Sequence, residues 1–292
     1  MTTVHVLVNP ASKRGEVDGS KVVEQLESLG YDTVVIRPDS AADVASQIQE
    51  SGTTIDRLVV VGGDGVIHHM LGAVAQTDIS VGIVPSGTGN DFARSLGLPK
   101  RRTDAVVAAL GDAEPVDLLR VRMSNGSARW VASVLTAGFS GRVNRVANSL
   151  AFPKGQQKYT VATLMEVRRL EAFHLEMSVG NEQYAGRCTF FAVANTRHFG
   201  GGMAICPAAD PSDSRLDVTV VGEVSRTALL LMLPTVFPGR HIGHRAVSLF
   251  TGRSVSITLD EELWADGEPL GVGSAEIELV EGAVRIAGLN PA

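Results

Sequence analysis

Cysteine, aromatic residues and long apolar runs are all scarce in this chain, and each shortage excludes something. Only Cys188 and Cys206 occur in 292 residues. Two thiols cannot build a disulfide framework, and no zinc-type spacing surrounds them, so they read as inert, half-buried groups of a reducing compartment. Aromatic residues make up 5% against 31 Gly and 12 Pro, a mixture that suits many short elements joined by tight turns. No apolar run reaches the roughly 18 residues of a spanning helix. The longest candidate, Ala228 to Phe237 (ALLLMLPTVF), is short and contains Pro234; Leu229–Phe237 within it reads as core or as the lining of an apolar mouth. The opening MTTVHVLVNPAS reads as strand and turn, without the charged-then-apolar order of a signal peptide. A soluble protein is expected, one still able to work at a membrane surface. Basic charge is in deficit overall, with a formal net charge of -6, which argues against nucleic acid as the main partner.

What is present is a globular balance, 44% apolar and 20% charged, in a chain longer than the common domain. The first third alternates strand and helix signals. Val4–Val8, Asp32–Ile36, Leu58–Val61 and Val81–Val84 are apolar runs, separated by helical patterns through Val22–Leu29, Ala41–Ile48 and Val66–Val74. Short apolar strands between helices imply a parallel sheet covered on both faces. After about Val116 the texture changes. Two helical segments, Gly141–Leu150 and Gln156–Leu170, stand among strand-like runs: Trp130–Ala137, Leu175–Val179, Cys188–Ala194, Leu216–Val221, Val255–Leu259, Ala275–Val280 and Val284–Ala287. The expected architecture is an α/β domain over 1–122 and a mainly-β sandwich over 123–292, with the last strand free to return to the first domain. A ligand cleft between the two is expected, at the carboxyl ends of the parallel strands.

Two loops carry chemistry. Gly62-Gly63-Asp64-Gly65 follows one strand and opens a helix, where glycines let backbone N–H groups approach an anion and the helix dipole favours it. Asp64 would repel a bare phosphate, so it suggests a metal-bound nucleotide or a proton acceptor. Pro85-Ser86-Gly87-Thr88-Gly89-Asn90-Asp91 ends the next strand in the same way. Side by side, the pair would form a bowl of backbone donors. Neither matches the P-loop pattern.

These residues carry a resemblance. GGDGV and PSGTGNDFARSLGLP resemble the GGDGT and P-x-GT-x-ND-x-A-R motifs of the diacylglycerol kinase catalytic-domain family, which includes bacterial lipid kinases and sphingosine kinases. NPASKRG, the stretch Val193–Asp217 with its GGG, and Asp266-Gly267-Glu268-Pro269-Leu270 resemble further motifs of that family in the same order. The resemblance implies a first domain like that of NAD kinases and phosphofructokinases. It also implies ATP and Mg²⁺ as cofactors and a membrane lipid as acceptor. The protein would be cytoplasmic, held peripherally at the inner membrane surface, with a homodimer as one possible assembly.

By the same resemblance, Asn9, Ser12 and Arg14 border the nucleotide. Gly62, Gly63, Gly65, Gly87, Thr88 and Asn90 surround its phosphates. Asp64 and Glu268 compete for the role of general base, with Asp266 beside Glu268; the preferred reading makes Glu268 the base and Asp64 the metal-linked residue. Read alone, Asp266-Gly267 is a hairpin turn. Asp210 and Asp213, with a carbonyl near Arg215, are the candidate site of a second, structural Mg²⁺; a solvated acidic turn is the alternative. Val66 stands where the family has Thr, and His68-His69 where it has Asn-Glu. Those departures keep a non-catalytic nucleotide- or lipid-binding relative in view, alongside a soluble-substrate kinase of the NAD kinase type.

Overall fold

The computed structural model describes residues 2–8, 13–51, 55–152 and 156–289. The chain forms two compact units, Met1–Leu118 with Val280–Ala292, and Leu119–Leu279.

The first unit contains β1 (Thr3–Val8), α1 (Lys13–Ser28), β2 (Asp32–Ile36), α2 (Val44–Glu50), β3 (Arg57–Gly62), α3 (Asp64–Val74), β4 (Ser80–Pro85), α4 (Asp91–Ser95) and α5 (Arg102–Ala108). Strand β5 (Ala113–Met123) runs from it into the second unit. β1 pairs in parallel with β2 and β3, and β3 with β4. The order β2-β1-β3-β4 reverses between β1 and β3, the switch point at which open α/β sheets bind ligands. Val8 and Val61 face each other there. The all-apolar strands follow from burial on both faces. On one face Val4, Val6, Val8, Val59, Val61 and Val84 pack with Val22 and Leu26 of α1 and with Ala105 and Val106 of α5. Each fully buried side chain of this kind contributes about 1.5–3 kcal/mol.

The second unit continues with β6 (Ala128–Val131), β7 (Val134–Gly138), α6 (Phe139–Ser149), α7 (Gln156–Arg168), β8 (Phe173–Val179) and β9 (Glu182–Ala194). A two-residue pair follows, β10 (His198–Phe199) and β11 (Met203–Ala204), then β12 (Leu216–Gly222) and α8 (Arg226–Val236). β13 (Val247–Gly252), β14 (Ser254–Leu259), β15 (Glu262–Ala265), β16 (Glu268–Val272) and β17 (Ala275–Ala287) complete it. The 13-residue β9 belongs to both layers of the sandwich. Its first half pairs with β8, and its last residues lie between β7 and β12. Alternation then sorts the side chains. Leu135, Phe191, Val193 and Val218 enter the core with Leu175, Met177, Val255 and Ile257. Val134, Phe190 and Ala192 face the other way, toward Met232 and Val236 of α8.

Several sequence expectations need adjustment. The strand expected over Trp130–Ala137 is broken at Ala132 and Ser133, because a carboxylate takes the N–H groups there. The two last strands are one, β17; its first residues pair with β14, and Arg285 and Ile286 pair in parallel with β4. Leu229–Phe237 is largely helix, α8, despite Pro234. β5 and β13 form where the sequence pattern predicts no strand. Both thiols are fully buried rather than half-buried.

Candidate active site

The loops after β3 and β4 are brought together by register, since Gly62 lies opposite Pro85. They touch backbone to backbone. A methyl group built on Gly87 would stand 2.6 Å from Gly63 Cα, and one on Gly63 would stand 2.9 Å from Gly87 Cα. Ser86 N–H donates to Gly62 O at 2.9 Å. The glycines at 63 and 87 are therefore required by loop-on-loop contact, which leaves no room for a Cβ.

Asn90 holds the second loop in shape. It sits in the left-handed region at φ 52; its Oδ1 accepts from Gly87 N–H at 3.0 Å, and its Nδ2 donates to Gly87 O at 2.9 Å. The side chain expected to meet phosphate is thus spent on closing its own loop. Thr88 is exposed at the tip.

Asp64 opens α3, with Gly63 as an extended N-cap. Its Oδ1 accepts from the Phe92 N–H at 3.1 Å, tying the first loop to α4. A Cβ on Gly89 would come within 2.9 Å of Asp64 Oδ2, so glycine there lets the carboxylate close in. Around Gly65 the situation is reversed: a Cβ would meet nothing within 4 Å. The side of α3 that a Gly65 side chain would occupy is therefore open, at a helix start whose dipole favours an anion; the Val66 and Ile67 N–H groups already donate to Gly63 O at 3.1 and 3.2 Å. Val66 is buried, with its side chain against Gly62; its place in the fold is a packing one. His68 and His69 meet edge to face, with ring centroids 5.3 Å apart. Asn9 and Ser12 lie outside the described residues, and so does the side chain of Arg14, whose backbone belongs to α1.

The second unit carries the other expected groups. Asp266 and Gly267 form the two-residue turn between β15 and β16, both with positive φ, the geometry that Asp-Gly supplies at least cost. Asp266 also does more than turn the chain. Its Oδ1 accepts from the N–H groups of Ser133 (2.8 Å) and Val134 (3.2 Å), and its Oδ2 from Ala132 (2.9 Å). Its own N–H donates to Val134 O. The hairpin tip is thereby fixed, and Glu268, exposed, follows it directly. Tyr159 of α7 lies in the field of that carboxylate: burial pushes the phenol upward, and the Glu268 charge adds to the shift. No sequence signal links residues so far apart in the chain.

The candidate metal loop is a tight acidic turn. Asp210 Oδ1 accepts from Ser212 N–H at 3.1 Å and from its hydroxyl at 2.7 Å, and Asp213 Oδ1 accepts from Arg215 N–H at 3.0 Å. Nearby, burial raises the Asp217 carboxyl to about 6, and Asp213 pushes it further up while Arg215 pulls it down. Crowded carboxylates of this kind suit a hard divalent cation in charge. In number they fall short, since no cluster of three or more His, Cys, Asp or Glu able to hold a metal occurs among the described residues. Water and backbone carbonyls would have to complete a shell. Asp64 has the Asp91 carboxylate as a neighbour, since a Cβ on Gly89 would stand 2.9 Å from Asp64 Oδ2 and 3.6 Å from Asp91 Oδ2; two carboxylates would fit a metal bound mainly by nucleotide phosphates. Among the described residues no helix is long and apolar enough to cross a membrane.

The diacylglycerol kinase catalytic domain model matches residues 3–121, and the YegS C-terminal NAD kinase beta sandwich-like domain matches 133–288. A protein of Mycobacterium tuberculosis named "Diacylglycerol kinase" is 36% identical, over 97% of this chain and 94% of its own length. A Stenotrophomonas maltophilia protein named "Probable lipid kinase YegS-like" is 30% identical over 80% of this chain and 78% of its own. The fold superposes on the crystal structure of a diacylglycerol kinase from Bacillus anthracis with a TM-score of 0.73 at 19% identity, covering 99% and 97% of the two chains.

Proposed function

Because the chain belongs to the diacylglycerol kinase catalytic-domain family of lipid kinases, we propose that it transfers the γ-phosphoryl group of Mg-ATP to a hydroxyl of diacylglycerol or a related membrane lipid. The observation that carries the nucleotide half is the open space over Gly65, beside Asp64 and the two interlocked glycine loops. Phosphate oxygens there would meet the N-terminal amides of α3, and Asp64 would hold Mg²⁺ against them. When bound, the ion offsets charge on the transferring group and orients it.

For the acceptor, Glu268 is the group we assign as general base. It takes the proton from the lipid hydroxyl as the new oxygen–phosphorus bond forms, while the bond from γ-phosphorus to the bridging oxygen breaks and ADP departs. Asp266 is a positioning residue in this reading, because its acceptor capacity is spent on the amides of Ala132, Ser133 and Val134. Diacylglycerol heads the list of acceptors because the Mycobacterium relative bears that name. The acceptor's location also makes the enzyme a peripheral visitor to a membrane surface.

The test is transfer of labelled γ-phosphate to diacylglycerol, monoacylglycerol, phosphatidylglycerol, sphingosine and ceramide in mixed micelles, with NAD as the soluble control. Label in one lipid, lost on omission of Mg²⁺, is the expected result. Label in NAD alone would replace the lipid reading with a soluble-substrate kinase.

A further inference from the structure

Helix α8 buries Leu229, Met232 and Val236, the stripe expected of a surface helix. Its opposite side departs from the usual pattern. Thr227, Leu230, Leu231 and Pro234 are exposed, followed by Phe237 and Pro238, and spacings of three and four residues place them on one face. Leu231 is 73% exposed and Phe237 54%. Helix α7, which packs against α8, adds exposed Leu164 and Met165. A solvent side with no charge between Arg226 and Arg240 serves neither solubility nor packing.

Along α8 and the segment that follows it the charge has one sign; exposed carboxylates nearby include Glu223, paired with Arg187 ahead of the helix, and Glu268, beside Tyr159 of α7. Exposed Arg226 stands at one end and exposed Arg240 at the other, and neither makes an ion pair among the described residues. From Val224 to Leu259, 36 residues pass without one Asp or Glu, although 32 of the chain's 292 residues are acidic and the net charge is -6. The one acidic residue of α7, Glu166, is buried. Arg226 also occupies the first turn of α8, where the helix dipole disfavours a cation. Helix stability therefore does not account for it. An apolar strip ended by long cationic side chains is suited to lying in a bilayer interface: the apolar groups enter the acyl boundary, and the arginine stems reach back to headgroup phosphates.

We propose that the α7–α8 face is the surface by which this protein docks on a bilayer carrying anionic headgroups. The proposal rests on the lipid-kinase reading above and adds the face that meets the membrane. A second copy of the chain is a poorer occupant, since a two-fold contact would bring two faces of the same positive sign together.

The experiment is co-sedimentation of the full chain with phosphatidylcholine vesicles, with and without phosphatidylglycerol. It compares wild type with Leu231→Glu, Phe237→Glu and the double variant Arg226→Gln/Arg240→Gln. Each protein is also assayed for thermal midpoint and for phosphoryl transfer to a water-soluble, short-chain diacylglycerol. Wild type is expected to prefer the anionic vesicles by about tenfold or more. Either glutamate is expected to lower that partition by about tenfold or more, and the arginine variant to remove its salt sensitivity. Midpoint and transfer to the soluble acceptor should hold. Equal partition of wild type and both glutamate variants would overturn the proposal. So would a wild-type dimer that Leu231→Glu separates while vesicle binding stays unchanged. If no lipid accepts phosphate yet partition still depends on this face, the docking surface stands and the kinase reading fails.

Discussion

Gly63 and Gly87 meet backbone to backbone, so closely that a methyl group on Gly87 would lie 2.6 Å from Gly63 Cα. Two loops far apart in the sequence thus become one surface. Gly87→Ala should push them apart, costing about 1–3 kcal/mol of stability as an overpacked contact does. Thermal unfolding reads the loss, and titration with a nucleotide analogue reads weakened binding. Gly65→Ala is the contrasting variant. Its Cβ meets nothing and alanine suits the first turn of α3 better than glycine. Stability should hold or rise while ATP affinity falls. Unchanged affinity in Gly65→Ala would mean that the phosphates do not approach α3 there.

Asp64→Asn separates architecture from chemistry. An asparagine Oδ1 still accepts from the Phe92 N–H, which lies 3.1 Å away, so the folded state should survive. The negative charge next to the metal is lost. Turnover should drop by roughly two orders of magnitude or more, the size of losing one preorganised electrostatic contact. Excess Mg²⁺ should recover part of the loss, and a rate near that of wild type would remove Asp64 from the site.

Asp266 and Glu268 are two residues apart and should fail in different ways. Asp266→Ala leaves the amides of Ala132, Ser133 and Val134 without their acceptor, and hydrogen bonds to a charged group are worth about 1.5–3 kcal/mol each. Its primary defect should be a large fall in the unfolding midpoint, with Asp266→Asn intermediate. Exposed Glu268 has no such structural duty. Glu268→Gln should keep the midpoint and lose on the order of 10²–10⁴ in kcat, the contribution typical of a general base. Equal stability losses in the two variants would dissolve the distinction.

Much of this was legible in the residues themselves. The strand-ending GGDG and PSGTGND stretches are adjacent because β3 and β4 are parallel neighbours, and a pair of apolar runs separated by one helix signals that arrangement. The hairpin at Asp266-Gly267 was legible as a turn, and it is one. What no local pattern could reveal are the contacts that cross long stretches of chain. The Asp266 carboxylate breaks the strand over Trp130–Ala137 by capturing its amides, so alternation alone read it as continuous. Asn90 spends its side chain on Gly87 three residues away, a loop-closing use that a phosphate-binding motif does not disclose. Helix α8 escaped because its exposed side is apolar, which erases the amphipathic period by which a surface helix is read.

The two thiols provide a pH test of the core. Burial pushes both Cys188 and Cys206 up from 9 to about 12, and neither is exposed. The folded protein therefore keeps both protonated at pH values where the unfolded chain has begun to ionise them. Because the unfolded state then binds fewer protons, stability is fully present below about pH 9 and falls as pH rises toward 12. Reaction with a thiol-specific disulfide reagent at pH 8 should be negligible until denaturant opens the sandwich, and then both thiols should react together if the second unit unfolds as one body. Rapid labelling of one thiol under native conditions would show that β9, which carries Cys188, or the segment around Cys206 opens on its own.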